Sequence, residues 1–127
     1  MILRPPTYAD VDWITEAYRD WPKGRPNVDN LLRRWIERGD PVCLIGAEDT
    51  TNFPIALVTY RQQFFGVWIH NLVVHPMYRK QGHSKTMLNL LKDKLVSEGA
   101  MAAGFKPLPG PFESRYPDNT FTWDMDV

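Results

Sequence analysis

Apolar residues recur along this chain with two different periods, and each period predicts a different kind of element. Three apolar runs of strand length follow one another, with turn-forming residues between them. They cover residues 42–48, 55–61 and 67–74. Because their connections are short, these runs predict an antiparallel meander rather than an alternation of strands and helices. Shorter strands are predicted at residues 2–4, 100–105 and 120–127.

Three other segments carry their apolar residues at helical spacing. Thr7, with an acid three residues later at Asp10, predicts the start of the first helix. Asn27 predicts the N-cap of a second helix, which should stop at Gly39. A third helix should end at Gly99. Its apolar face consists of Met87, Leu88, Leu91 and Leu95.

One stretch, residues 66–99, joins a buried strand to a helix through a short basic loop. The strand stops at Pro76, which lacks the amide needed to extend a sheet. The loop carries Arg79, Lys80 and Lys85. The first amides of a helix have no internal partner and its positive end favours negative charge, so this arrangement predicts an anion site. The alternative is a solvated basic turn.

Composition predicts a single domain that spans residues 1–127. Hydrophobic residues make up 43% of the chain and aromatic residues 13%, which is typical of a folded globule. Fifteen basic and fifteen acidic residues cancel, so we expect neither nucleic acid nor an anionic membrane as a partner. The same balance argues against a small nucleic-acid-binding domain that would use the basic loop.

Cysteine and histidine content argues against disulfides and metal sites. Cys43 is the single cysteine, which excludes an internal disulfide, and its apolar neighbours predict a buried position. His70 and His75 are five residues apart in a strand, so their side chains should face opposite ways and should not share a metal. No run is long and apolar enough to span a bilayer, and we expect a cytoplasmic protein.

The segment LVVHPMYRKQGHS resembles motif A of the GCN5-related N-acetyltransferase (GNAT) superfamily, in which L-x-V-x-P leads into R/Q-x-x-G-x-G/A and a long helix. Leu72, Val74 and Pro76 match the strand half of that motif. Arg79 and Gly82 match the loop half, whereas a serine stands at position 84, where Gly or Ala is usual. The opening LRPPTYADVDWI also resembles the start R-P-A-T-x-x-D-x-x-x-I that is common in this family.

This resemblance implies an acyl-CoA N-acyltransferase-like α/β (α+β) fold, with a mixed, mainly antiparallel sheet and helices on both faces. It also implies acetyl-CoA as cofactor. Amides of residues 80–85 would hold the pyrophosphate, and the end of the strand would offer main-chain hydrogen bonds to the pantetheine arm. The predicted cofactor-binding residues are Leu72, Val73, Val74, Arg79, Lys80, Gln81, Gly82, His83, Ser84 and Lys85.

Acetyl transfer to an amine needs a base that keeps the nucleophile deprotonated. The resemblance implies His70 for this role, with a structural histidine as the alternative. Alternation along the strand predicts that His70 shares a face with Trp68, Leu72 and Val74. Tyr116 is the candidate for the general acid, with a structural tyrosine as the alternative.

Residues of the acceptor site are less defined by the sequence. The resemblance implies that the segment between the first two helices lies over the acceptor, so Trp21, Arg25 and Trp35 are candidates to line a pocket. Packing in the core is the alternative for the two tryptophans. The acceptor itself would be a small-molecule or peptide amine.

The resemblance covers residues 1–99, and the C-terminal quarter departs from it. No helical pattern separates Gly99 from Thr120, although the family usually has a helix there. We therefore expect either an acetyl-CoA-dependent N-acetyltransferase or a catalytically inactive GNAT-fold module. Such a module would bind or serve a structural role, as a homo-oligomer or in a larger assembly such as a phage virion.

Overall fold

The structure is a computed structural model, and it describes residues 1–21, 24–62, 66–99, 102–105 and 120–122. The strands are β1 (Ile2–Arg4), β2 (Val42–Ala47), β3 (Pro54–Gln62), β4 (Gly66–Val74), β5 (Ala102–Phe105) and β6 (Thr120–Thr122). The helices are α1 (Val11–Ala17), α2 (Val28–Arg33) and α3 (His83–Ser97). Short 3₁₀ turns cover Tyr8–Asp10 and Pro76–Tyr78, and a π-helical turn, Arg34–Arg38, extends α2. Tyr116, the predicted loop at residues 106–117 and the end of the last predicted strand lie outside the described residues.

Within the described residues, six strands form one sheet in the order β1-β2-β3-β4-β5-β6. All neighbours are antiparallel except β4 and β5, which pair in parallel. This confirms the predicted meander of β2, β3 and β4. Parallel strands need a crossover connection, and α3 supplies it between β4 and β5.

Helices cover both faces of the sheet, as the family resemblance implied, and each face has its own apolar core. On one face α3 packs against β2, β3 and β4 through a cluster of buried side chains. On the other face α1 and α2 pack over the same strands. Buried Cys43 lies in this second cluster, which confirms its predicted position.

The predicted helix caps are present. The Asn27 side chain accepts a hydrogen bond from the Asn30 N–H at 3.2 Å, and Gly39 ends the second helical segment in the left-handed conformation. Asp10 accepts a hydrogen bond from the Thr7 N–H at 2.8 Å, and both of its oxygens accept from Arg4. The predicted helix starts therefore hold. None of the helices in the described part of the chain is long and apolar enough to cross a membrane.

A bulge in β4 corrects the predicted orientation of His70. Asn71 pairs with Thr59, but the next residue of β3, Tyr60, pairs with Ile69. His70 is thus the extra residue, and the alternation of side chains reverses across it. As a result Leu72 packs on the α3 face, whereas strict alternation from Ile69 would have placed it on the opposite face. The prediction that His70 shares a face with Trp68, Leu72 and Val74 is wrong, because the alternation rule assumes a regular strand.

Candidate functional site

The exit of β4 is the first part of the site. β5 pairs only with residues 66–69 of β4, so within the described residues the edge of β4 beyond Ile69 has no strand beside it on the side away from β3. Val73 is fully buried in the core under α1 and α2, while Leu72 and Val74 are half-buried on the α3 face. The strand is therefore anchored by its side chains, and among the described residues no strand pairs with this edge of its backbone.

The chain then turns sharply into α3. Lys80 and Gly82 have positive φ angles of 64° and 81°, and Gly82 is the N-cap of the helix. A Cβ built at Gly82 would meet no protein atom within 4 Å, so its backbone angle, rather than packing, favours glycine here. The first N–H bonded inside the helix is that of Thr86, which donates to the Gly82 carbonyl at 3.1 Å. The three amides before it belong to the helix end and point outward.

The side chains of this loop surround the end of α3 with donors and positive charge. Lys80 and Lys85 are exposed, and Ser84 is half-buried. The ring of His83 lies edge-on to Tyr78, with centroids 5.8 Å apart. Gln81 donates through Nε2 to the Met77 carbonyl at 3.3 Å, which helps to close the loop. Backbone amides, a helix end and cations together fit a polyanionic ligand.

Arg79 differs from the two lysines because its guanidinium is held by the protein. Its Nε donates to the Val74 carbonyl at 3.0 Å, and its two Nη groups donate to the carboxylate of Asp20 at 2.5 and 3.0 Å. This hydrogen-bonded pair lowers the pKa of Asp20, so the carboxylate stays ionised. The Arg79 charge is thus balanced inside the protein.

A polar row crosses the sheet beside the bulge. Cys43, Thr59 and Asn71 are lateral neighbours on β2, β3 and β4, and the hydroxyl of Tyr18 lies over them at the Asn71 side chain. The hydroxyls of Tyr18 and Thr59 are both shielded from solvent. Burial raises the pKa of Tyr18 and that of Cys43, so both stay protonated. His70, the bulge residue next to Asn71, is half-buried with its Nε2 atom out of contact with solvent.

His75 lies in a packing position, away from the polar row. It is 9% exposed, its ring stacks on Trp13 with centroids 5.7 Å apart, and its Nδ1 accepts from the Met77 N–H at 3.2 Å. Burial lowers the pKa of His75, so the ring is neutral at pH 7. Nothing in the part of the chain that the structure describes groups three or more His, Cys, Asp or Glu side chains for a metal.

The candidate acceptor residues separate into different environments. Trp35 is 5% exposed and belongs to the core under α1 and α2, which favours the packing interpretation. Trp21 is half-buried at the end of α1, with its ring edge-on to Tyr18 at 4.9 Å. Arg25 is exposed in the connection to α2. Trp21 and Arg25 therefore stay candidates for contact with a ligand.

Sequence reasoning missed Asp20, Tyr18, Thr59 and Asn71. Each reaches the site through a tertiary contact, either across the sheet or from the end of α1. Thr59 and Asn71 carried a sequence sign, as polar residues within the apolar runs at residues 55–60 and 67–74. Nothing local to Asp20, in the turn after α1, distinguishes it from the acids of the helix.

A second surface feature lies between β1, the start of α1 and the turn that precedes β3. It is a groove of about 610 Å³. Its lining includes Arg4, Asp10, Trp13, Asn52 and Phe53. Since the Arg4 and Asp10 side chains there are paired with each other, the groove offers less uncompensated charge than the α3 end.

Comparisons with known proteins agree with this geometry. Residues 8–106 match the model of the acetyltransferase (GNAT) family. A comparison with curated protein sequences found no match. The fold is similar to an aminoglycoside 6'-N-acetyltransferase complexed with coenzyme A, with 16% identity and a TM-score of 0.67 over 84% of this chain and 62% of that chain. It is also similar to the GNAT family N-acetyltransferase YhbS from Escherichia coli in complex with CoA, with 19% identity, a TM-score of 0.63 and the same two coverages.

A third similar structure is yncA, a putative acetyltransferase from Salmonella typhimurium with its cofactor acetyl-CoA. It is 21% identical with a TM-score of 0.61, over 83% of this chain and 68% of that chain. At these identities the likeness shows the acyl-CoA N-acyltransferase fold alone. The chain spans 62% of the length of the first two of these structures.

Proposed function

Because the chain belongs to the GNAT acetyltransferase family, we propose that it transfers an acetyl group from acetyl-CoA to an amine. One observation carries the proposal: the positive end of α3 and its basic loop lie directly after β4, whose edge away from β3 pairs with no strand beyond Ile69 among the described residues. A pyrophosphate at the helix end and a pantetheine arm along the strand would use both features at once. A cytoplasmic location fits this proposal, since acetyl-CoA is an intracellular metabolite.

Most of the cofactor contacts in this proposal come from backbone atoms. The outward amides at His83, Ser84 and Lys85, with those of Lys80 and Gln81, would bind the pyrophosphate, and the two lysines would add charge. The main chain at Leu72, Val73 and Val74 would bind the pantetheine arm. A CoA pyrophosphate is a dianion, and the exposed charges of Lys80 and Lys85 favour it over a neutral ligand.

For the transfer step we propose His70 as the base that takes the proton from the attacking ammonium or amine. It is the extra residue of the bulge and lies just where β5 stops pairing with β4. The nitrogen then attacks the acetyl carbonyl, the C–S bond breaks, and the thiolate leaves and is protonated. Tyr116 stays the candidate for that last proton and lies outside the described residues.

The acceptor is proposed only by class, as a small-molecule or peptide amine. Trp21 and Arg25, at the end of α1 and in the connection that follows, are the candidates to contact it. One similar structure is that of an aminoglycoside 6'-N-acetyltransferase, so a cationic amine is one probe to include in a panel.

Calorimetric titration with acetyl-CoA tests the cofactor assignment. We expect binding to the unmodified chain and a loss of about fivefold or more for Gly82→Ala, because alanine at a φ of 81° costs on the order of 1 kcal/mol and would reshape the loop. Gly39→Ala is the matched control, since Gly39 has a φ of 60° but lies at the end of the second helical segment. Equal affinities for the two variants would remove the loop from the cofactor site.

Release of the CoA thiol in the presence of an amine panel tests the chemistry. The rate should rise with pH along an acid limb as the base deprotonates, and His70→Gln should lower the plateau by roughly 10²-fold or more and remove that limb. An unchanged profile would exclude His70 as the base. A chain that binds acetyl-CoA but releases no thiol with any amine would instead support the inactive binding module.

A further inference from the structure

The turn after α1 is joined to the loop before α3 by an ion pair between Asp20 and Arg79, which are 59 positions apart in the sequence. Both carboxylate oxygens of Asp20 accept from the guanidinium of Arg79, at 2.5 and 3.0 Å. The remaining nitrogen of that guanidinium, Nε, donates to the Val74 carbonyl at 3.0 Å. Arg79 is thus held on one side by the Asp20 carboxylate and on the other by the Val74 carbonyl at the end of β4.

These hydrogen bonds fix the chain at the residue where the loop changes direction. Arg79 is extended and ends the 3₁₀ turn Pro76–Tyr78, and the next residue, Lys80, has a positive φ of 64°. A bidentate guanidinium–carboxylate pair fixes the plane of the fork as well as its position. Restraining Arg79 therefore restrains the start of residues 80–85, the segment whose amides would bind the pyrophosphate.

The charge balance of the Asp20–Arg79 pair indicates whether it positions the loop or attracts the anionic cofactor directly. Since Asp20 neutralises Arg79, the pair adds little net charge to the loop, and attraction for an anion comes from Lys80, Lys85 and the helix end. Arg79 is 25% exposed and Asp20 46% exposed in their side chains, so the carboxylate is screened by solvent rather than buried against the loop. The geometry of the Asp20–Arg79 pair therefore fits a role in holding the loop.

We propose that Asp20 is a positioning residue for acetyl-CoA, which acts by holding Arg79 and through it the loop at the end of β4. This inference rests on the proposed function. It assigns a cofactor-related role to a residue in the turn after α1 that has no place in the motif A pattern.

The test is the affinity of the full chain for acetyl-CoA measured by calorimetry. Asp20→Asn keeps the shape of the side chain but loses its charge, and we expect binding to weaken roughly three- to fivefold. Asp20→Glu, which keeps a carboxylate, should recover most of that loss. The matched control is Asp40→Asn, because Asp40 forms an exposed pair with Arg61 at 2.8 Å away from the loop. It should bind as the unmodified chain does.

A second variant shows whether the effect passes through Arg79. Arg79→Lys keeps the positive charge but cannot span both Asp20 oxygens and the Val74 carbonyl, so it should weaken binding as much as Asp20→Asn. The double variant should be no weaker than Arg79→Lys alone. Thermal midpoints of all variants should be measured to check that each retains the fold.

Several results would overturn the proposal. Tighter binding by Asp20→Asn would mean that the carboxylate repels the cofactor, and unchanged binding would mean that the pair is irrelevant to it. Normal binding by Arg79→Lys would mean that charge alone matters. If the unmodified chain bound no acetyl-CoA, the proposed function itself would fail, which is a distinct outcome.

Discussion

At the scale of single residues, His75 is held in its neutral form by its surroundings. Nδ1 accepts a hydrogen bond from the Met77 N–H, and the ring packs between Trp13 and Tyr78. Protonation would convert that acceptor into a donor and would place a charge in a desolvated position. Burial accordingly lowers the pKa of His75 from its ordinary value.

This environment predicts a pH dependence of stability. The unfolded chain protonates His75 near its ordinary pKa of about 6.5, while the folded chain does so only at lower pH. Between those values the unfolded state binds more protons, so the free energy of unfolding should fall as pH drops from about 7 to about 5. Urea unfolding of His75→Gln across this window should show a smaller fall than the unmodified chain.

Asn89→Gln, an exposed substitution on α3, serves as the control for this measurement because it changes no titratable group. Its pH slope should match that of the unmodified chain. Hydrogen bonds lower the pKa values of Asp10, Asp20 and Glu48, so in the folded chain these carboxylates titrate below their ordinary range and outside this window. Equal slopes for His75→Gln and the unmodified chain would contradict the account of His75.

At the scale of elements, the entry into α1 is fixed by a buried ion pair. Asp10 is 6% exposed and binds both Nη groups of Arg4, at 2.9 and 3.0 Å, as well as the Thr7 N–H. Burial opposes ionisation of Asp10, but these hydrogen bonds outweigh it and lower the pKa of the carboxyl. One side chain thereby joins β1 to the first helical turn.

Asp10→Ala should therefore destabilise the fold by roughly 2–4 kcal/mol, because it strands a largely buried arginine and opens the helix start. Asp12→Ala is the control, an exposed acid in the first turn of the same helix, and it should cost about 0.3–1 kcal/mol. Chemical denaturation measures both. A smaller loss for Asp10→Ala than for Asp12→Ala would contradict this role.

Elements were predictable where their cause is local. The caps at Thr7, Asn27 and Gly39 and the apolar stripe of α3 depend on neighbours within a few residues, and the structure confirms them. The bulge at His70 depends on how β3 pairs with β4, which no local pattern encodes. An error of one residue in a period of two reverses every later side chain, so the predicted face of His70 was lost.

At the scale of the whole molecule, the resemblance of motif A carried the fold, and the structure and the family match confirm it. The motif did not predict the contacts that residues after the start of α1 make with β4 and the loop that follows it. Asp20 reaches Arg79, and Tyr18 reaches Asn71, because α1 packs against the sheet on the face opposite α3. Such contacts follow from packing of distant segments rather than from spacing along the chain.

The central claim is that acetyl-CoA binds at the exit of β4 and the start of α3, and a backbone NMR titration of the labelled chain tests it most directly. With acetyl-CoA we expect the largest amide shifts at residues 72–74 and 80–85, with saturation at one equivalent. Shifts centred on the groove that contains Trp13 and Phe53, or no shifts at millimolar acetyl-CoA, would contradict the claim.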